Sequence, residues 1–306
     1  MFPIVPAGSA AAVEPTLNDE GLFGFGHTGG VLSAVSNKVS NSGVISSDVA
    51  AVGTPRNGIA ACEFGGDKGI FGYGYSGSKV SMTNLVSNVG VVAADTTGVG
   101  TDRNNLAACE YGGDKGIFGF GNGTARTSIT NLVSNTGVVA TDTTGIGLVR
   151  HALAACEYGN DKGIFGYGDV GSPNTVTAVT NLVSNTGIVA TDTTGVGTIK
   201  DYLAACGYGE DKGIFGFGQD VVDGNLNETN LVSNLGVVAT DTTGIGTSRN
   251  SPAACEFGQD KGIFGYGSIS VAISSLTNLV SNSGVVASDV SGVGTPRYAL
   301  GACSFN

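Results

Sequence analysis

The sequence has no tryptophan, and only two histidines, two methionines and seven prolines among 306 residues. His27 and His151 stand far apart, so a histidine-rich metal centre is not expected, and no nucleophile–base pair accompanies either. Charged residues make up 13% of the chain and lean acidic, with a net charge of −11. No basic patch interleaved with aromatics exists, which argues against nucleic acid as a partner. No apolar run approaches the ~20 residues of a membrane-spanning helix, so no membrane insertion is expected. The first twenty residues lack a basic segment, and Pro3 and Pro6 interrupt their apolar run, so no signal peptide is read there. Apolar residues nowhere recur at helical spacing over a sustained stretch, and almost no helix is predicted.

What the sequence has in quantity is glycine, 52 residues, without the three-residue period of collagen. The glycines fall at fixed places in a long repeat. The phenylalanine of one apolar run recurs at Phe23, Phe71, Phe118, Phe165, Phe215 and Phe264, at intervals of 47–50 residues. An asparagine opening the next run recurs at Asn84, Asn131, Asn181, Asn230 and Asn278, and an aspartate in the last at Asp48, Asp95, Asp142, Asp192, Asp241 and Asp289. Self-similarity at this period means a solenoid or a propeller.

One unit reads as four strands. Asn105 to Gly112 is a first strand of small residues, Gly113-Asp114 a turn, and Lys115 to Gly121 a second strand. After the polar loop Asn122–Ser128 come a third strand, Ile129–Ser134, the turn Asn135-Thr136-Gly137, and a fourth strand, Val138–Thr143. The expectation is an all-β, six-bladed β-propeller over residues 19–306, with four antiparallel strands per blade and an extended N-terminal arm over residues 1–18. The repeat opens on a second strand at Gly21–Gly26 and closes on a first strand at Tyr298–Phe305. Pairing the C-terminal inner strand with the N-terminal strands would close the ring and leave no free edge there. The first strand is then innermost, where only Ala, Gly and Cys fit.

The six cysteines, Cys62, Cys109, Cys156, Cys206, Cys255 and Cys303, fall once per unit at equivalent positions. Adjacent equivalents lie too far apart for a disulfide, so buried free thiols and a reducing compartment are expected.

An arginine-led run of small residues, a turn, and then Ile-Phe-Gly-Tyr-Gly resembles a kelch repeat, although Gly-Tyr-Gly replaces the kelch glycine pair and the kelch tryptophan is missing. RCC1-like repeats match less well. The unit DKGIFGYG…TNLVSNTGVVATDTTGVGT is also similar to repeat arrays of bacteriophage and large-virus structural proteins. That resemblance covers residues 19–306. It implies a virion structural or tail-associated platform, assembled in the host cytoplasm, whose partners are other virion proteins or a host-surface glycan or protein.

Candidate binding residues come from two sets. Arg56, Arg103, Arg150, Lys200, Arg249 and Arg297 stand ahead of the first strands, as a ring of cations near a channel mouth. Pairing with backbone carbonyls or with acids such as Asp102 and Asp201 is the alternative for them. The second set, Tyr75, Asn122, Asp169 and Asn225, belongs to the loops between second and third strands, which alone vary between units: Tyr75–Met82, Asn122–Ser128, Asp169–Ala178, Gln219–Glu228 and Ser268–Ser275. Loops on a rigid frame commonly carry recognition. The turns such as Asp114-Lys115 share the opposite end with the Asn-x-Gly hairpins and are read as solvated.

Asp142-Thr143-Thr144-Gly145 departs from the aspartic-protease motif by one threonine, and Gly119-Phe120-Gly121-Asn122-Gly123 precedes no helix, so neither signals catalysis. No catalytic residue, metal ligand or cofactor is assigned, and an enzyme in the central channel is not expected because no convergent acid, base or metal residues are apparent. A lectin-like propeller binding glycans between blades is the alternative function, drawing on sixfold avidity.

Overall fold

The computed structural model describes residues 19–171, 175–222, 224–270 and 272–306. The arm expected over residues 1–18 lies outside them. Among the described residues every regular element is a strand, and the main architecture is a set of six three-stranded antiparallel sheets.

Sheet three shows the plan. Its first strand, Ala107–Tyr111, pairs with the middle strand Lys115–Gly119, which pairs in turn with the third strand Thr130–Val133. Sheet two repeats this with Ala60–Phe64, Lys68–Gly72 and Thr83–Val86, and sheets four to six follow. Sheet one is assembled from both ends of the chain. Glu20–His27 is its middle strand and Leu32–Val39 its third, while Gly301–Phe305 supplies the first, in a register from Glu20 against Phe305 to Gly24 against Gly301. The strand offset between the two ends of the repeat pointed to this pairing.

The fourth strand expected in each unit does not form. Val138–Thr143 meets the third strand through isolated bridges, Val133 with Val139 and Thr130 with Thr143, and through scattered bonds such as Ala140 N to Leu132 O, without a continuous ladder. One extra residue lies on the outer side between those bridges, so the ladder is bulged. The side chain of Asn131 fills the gap, its Nδ2 donating to the Ala140 carbonyl and to Asp142 Oδ1, each at 2.9 Å. Two variable loops carry small hairpins of their own, Asp169–Gly171 with Thr175–Val176 and Ser268–Ile269 with Ala272–Ile273.

Sheets pack face to face because the middle strand alternates bulk with glycine. A Cβ at Gly116 would lie 2.6 Å from Cys62 Sγ of the preceding sheet, and one at Gly119 would lie 2.7 Å from the Phe165 ring of the next. Each core cluster is shared by two neighbouring sheets: Cys62, Phe64, Ile70 and Tyr73 meet Leu106, Ala108 and Phe118. Another cluster joins Cys255, Ile263 and Tyr266 of sheet six to Phe23, Val39 and Leu300 of sheet one. All six cysteines are free and buried in these layers.

A circuit of backbone hydrogen bonds links the turns ahead of the first strands. Gly58 N donates to Ala299 O, Ala299 N to Ser251 O, Ser251 N to Tyr202 O, Tyr202 N to Ala152 O, Ala152 N to Asn105 O, and Asn105 N to Gly58 O, all at 2.7–3.0 Å. The geometry holds all six residues at positive φ, including Ala152 at 54° and Tyr202 at 49°. Non-glycine residues there are strained, and the bond each makes to its neighbour offsets that strain.

Candidate functional site

The ring of cations is not at a surface. Arg103 is 0% exposed, as are the other four arginines and Lys200. Its Nη2 donates to Asn131 Oδ1 at 2.6 Å, Nη1 to the Thr101 carbonyl at 3.1 Å and Nε to the Phe120 carbonyl at 2.9 Å. The guanidinium lies 4.2 Å from the centre of the Tyr73 ring in the preceding sheet, and Asp142 stands 3.9 Å from Nη1. Burial lowers the pKa of Arg103, with Tyr73 and Asp142 opposing the shift. The nearby acid is thus Asp142 of the outer run rather than Asp102. Asp142 also accepts the Thr101 amide and hydroxyl. The arginines clasp one sheet to the next and present no charge to solvent, while the Asp142 carboxylate beside Arg103 stays partly exposed.

Tyr75, Asn122, Asp169 and Asn225 do come to one end of the molecule. Each loop forms a lateral row of bridges: Asn57–Tyr75–Lys79, Asn104–Asn122–Arg126, His151–Asp169, and Asp201–Gln219–Asn225. Successive rows then hold one another. Arg126 Nη2 pairs with Asp169 Oδ1 at 2.9 Å. Asn225 donates to the Ser268 carbonyl and accepts from Asn250 Nδ2, at 2.9 and 2.8 Å. The residues differ from row to row, while each row keeps its first bridge between the residue after the buried cation and the loop. Desolvation raises the Asp201 carboxyl to about 7 and lowers the His151 pKa. At the opposite end the Asp-Lys turns behave as turn residues. Each lysine pairs with its own aspartate, as Lys115 does with Asp114, and Asn135 Nδ2 reaches Asp114 Oδ2 at 3.1 Å.

Contrary to the expectation from sequence, acids do converge. Glu63, Glu110, Glu157 and Glu256 of the first strands line a common cavity of about 30 Å³, with Gly207 and Cys206 completing part of its wall. Ser304 takes the equivalent place in sheet one, and its amide donates to Glu63 Oε1 at 2.6 Å. Gly207 makes room for a carboxyl pair, since a Cβ there would overlap the Glu256 carboxylate and lie 3.2 Å from Glu157 Oε1. Glu157 and Glu256 thus approach each other across the space that Gly207 leaves open. Burial raises all four carboxyls, and repulsion from neighbouring glutamates adds to it at Glu110, Glu157 and Glu256, Glu157 reaching about 7. The signal was present in the sequence: Glu follows Cys at four of six equivalent positions. Among the described residues no group of three or more His, Cys, Asp or Glu is placed to hold a metal ion.

A cleft of about 230 Å³ separates the outer margins of sheets two and three, lined by Thr83, Thr96, Thr97, Val99, Thr136 and Val138 among others. No family model matches the chain, and no curated protein matches it. No helix among the described residues is long and apolar enough to cross a membrane.

Proposed function

We propose that the chain is a closed six-bladed β-propeller serving as a rigid, non-enzymatic platform that recognises a partner through its variable-loop end. Closure is supported by the strand pairing of the two chain ends and by the six-membered circuit of backbone bonds. The observation that carries the recognition reading is a contrast within one molecule. The clasp of arginine, asparagine and aspartate recurs with little change, while the rows holding Tyr75, Asn122, Asp169 and Asn225 differ in every copy around the same first bridge. A frame that holds varied polar side chains in fixed positions suits protein or glycan recognition.

The setting we propose is a virus particle, as a structural or tail-associated component contacting other particle proteins or the host surface. This rests on the likeness of the repeat to viral repeat arrays. A specific antibody should detect the protein in purified particles of the source virus, and its absence from them would sink the proposal. For the recognition face, Tyr75→Ala and Asn122→Ala should each weaken partner capture several-fold while leaving the unfolding midpoint within ~0.5 kcal/mol of wild type. Equal binding by both variants would place recognition elsewhere.

A glycan-binding reading draws on a separate observation, the threonine-lined cleft between sheets two and three. A glycan array at high protein density tests it. Binding lost on Thr136→Val and kept on Asn122→Ala would favour this cleft over the loop end.

A further inference from the structure

One seam of the molecule departs from the repeat in two places at once. In the five arginine copies, Nη2 donates to the asparagine Oδ1 at 2.5–2.7 Å. Lys200 replaces the arginine in the remaining copy. Its Nζ is buried without a hydrogen-bond partner, and so is Asn230 Oδ1, the atom the missing guanidinium would reach. The second departure is Glu228. The residue whose carbonyl accepts the amide of the middle-strand aromatic is Met82, Ile129, Val179 or Leu276 in four other copies, and Glu228 here. Its Oε2 is also buried and without a partner.

The two exceptions are opposite in charge and act on each other. Burial lowers the pKa of Lys200, and Asp241 and then Glu228 oppose the shift. Yet no ion pair forms directly between Lys200 and Glu228, whose polar atoms are both buried without a hydrogen-bond partner. Three unsatisfied polar atoms on one seam are one donor and two acceptors. The group that meets them must accept from an ammonium and donate twice. An anion would face Glu228 Oε2, and a metal ion would face the Lys200 ammonium. A water molecule has the matching two donors and free lone pairs, and buried waters ordinarily make about three such bonds.

We infer that one ordered water occupies the seam, accepting from Lys200 Nζ and donating to Asn230 Oδ1 and Glu228 Oε2. Lys200 and Glu228 thereby form a water-bridged ion pair. Glu228 ends the variable loop that begins at Gln219, so the bridge anchors that loop to the clasp of the neighbouring sheet.

The test combines a high-resolution crystal structure of the wild-type protein with a thermodynamic cycle of Lys200→Arg, Glu228→Leu and the double variant in urea. The crystal structure should contain a water within hydrogen-bond distance of all three atoms. Glu228→Leu alone should lower the unfolding midpoint, because Lys200 loses one of its two nearby counter-charges. Lys200→Arg in that background should restore it, since the pair of changes recreates the sibling copies. A dry seam, a direct contact of Lys200 Nζ with Asn230 or Glu228, or strictly additive variants would overturn the inference. If Glu228→Leu fails to fold while the double variant folds, the coupling is established by that rescue.

Discussion

The arginine clasp and the axial glutamates set opposite electrostatic demands on single residues. Removing the head of Arg103 leaves Asn131 Oδ1 and the Thr101 and Phe120 carbonyls without their donor, in a site closed to water. Arg103→Met is expected to cost about 3–5 kcal/mol in urea unfolding, the range for breaking a buried charged network from one side. The glutamates titrate in the other direction. Their folded-state pKa values lie above the unfolded value, so folding takes up protons. The stability this contributes is full below about pH 4 and is lost as pH rises through the raised values, near 7 for Glu157, with its neighbours also raised. Asp48, Asp95, Asp142, Asp241 and Asp289 are lowered by hydrogen bonds from threonine and asparagine against the opposing effect of burial, and their contribution is lost as pH falls through their folded values. Unfolding free energy measured from pH 5 to 9 should therefore decline toward the alkaline side. Glu157→Gln should flatten that decline, and an unchanged slope would show that the axial carboxyls are already ionised. The sequence displayed each of these residues but not their sense. A buried arginine and an exposed one look the same in a repeat, and the inward direction of Glu63 follows only once first strands from several sheets share an axis.

At the scale of a strand, the middle segment Lys-Gly-Ile-Phe-Gly has the strictest requirements. Its glycines accept the cysteine of one neighbouring sheet and the phenylalanine of the other, so Gly119→Ala drives a Cβ into the Phe165 ring. Overpacking of this kind should cost about 1–3 kcal/mol, measured as a lower urea midpoint. Gly113, in a turn where a Cβ would meet only Asn160 O at an ordinary 3.8 Å, should lose less on the same change, chiefly through its φ of 73°. First, middle and third strands were legible because apolar runs and turn glycines bound them. The fourth was misjudged because Val138–Thr143 has strand-like composition, and periodicity does not reveal that the Asn131 side chain takes the place of ladder bonds. The hairpins within the variable loops had no repeat to mark them.

For the whole molecule, the closed ring proposed above would turn local repeats into one cooperative unit, since core clusters are shared between neighbouring sheets, as between sheets two and three and between sheets six and one. The pairing of Glu20–His27 with Gly301–Phe305 holds the first and last described strands in the same sheet. Loss of that strand should loosen the circuit running from Gly58 through Ala299 as well as sheet one itself. The measurement that addresses this most directly is native-state amide hydrogen exchange, resolved by residue. Closure predicts that the bonded amides of Gly301–Phe305 and of Gly21–Gly24 exchange as slowly as those of Gly116–Gly119 in the middle strand of sheet three, all opening only with global unfolding. Exchange of the C-terminal strand at the rate of the variable loops, with sheet three still protected, would contradict a closed ring.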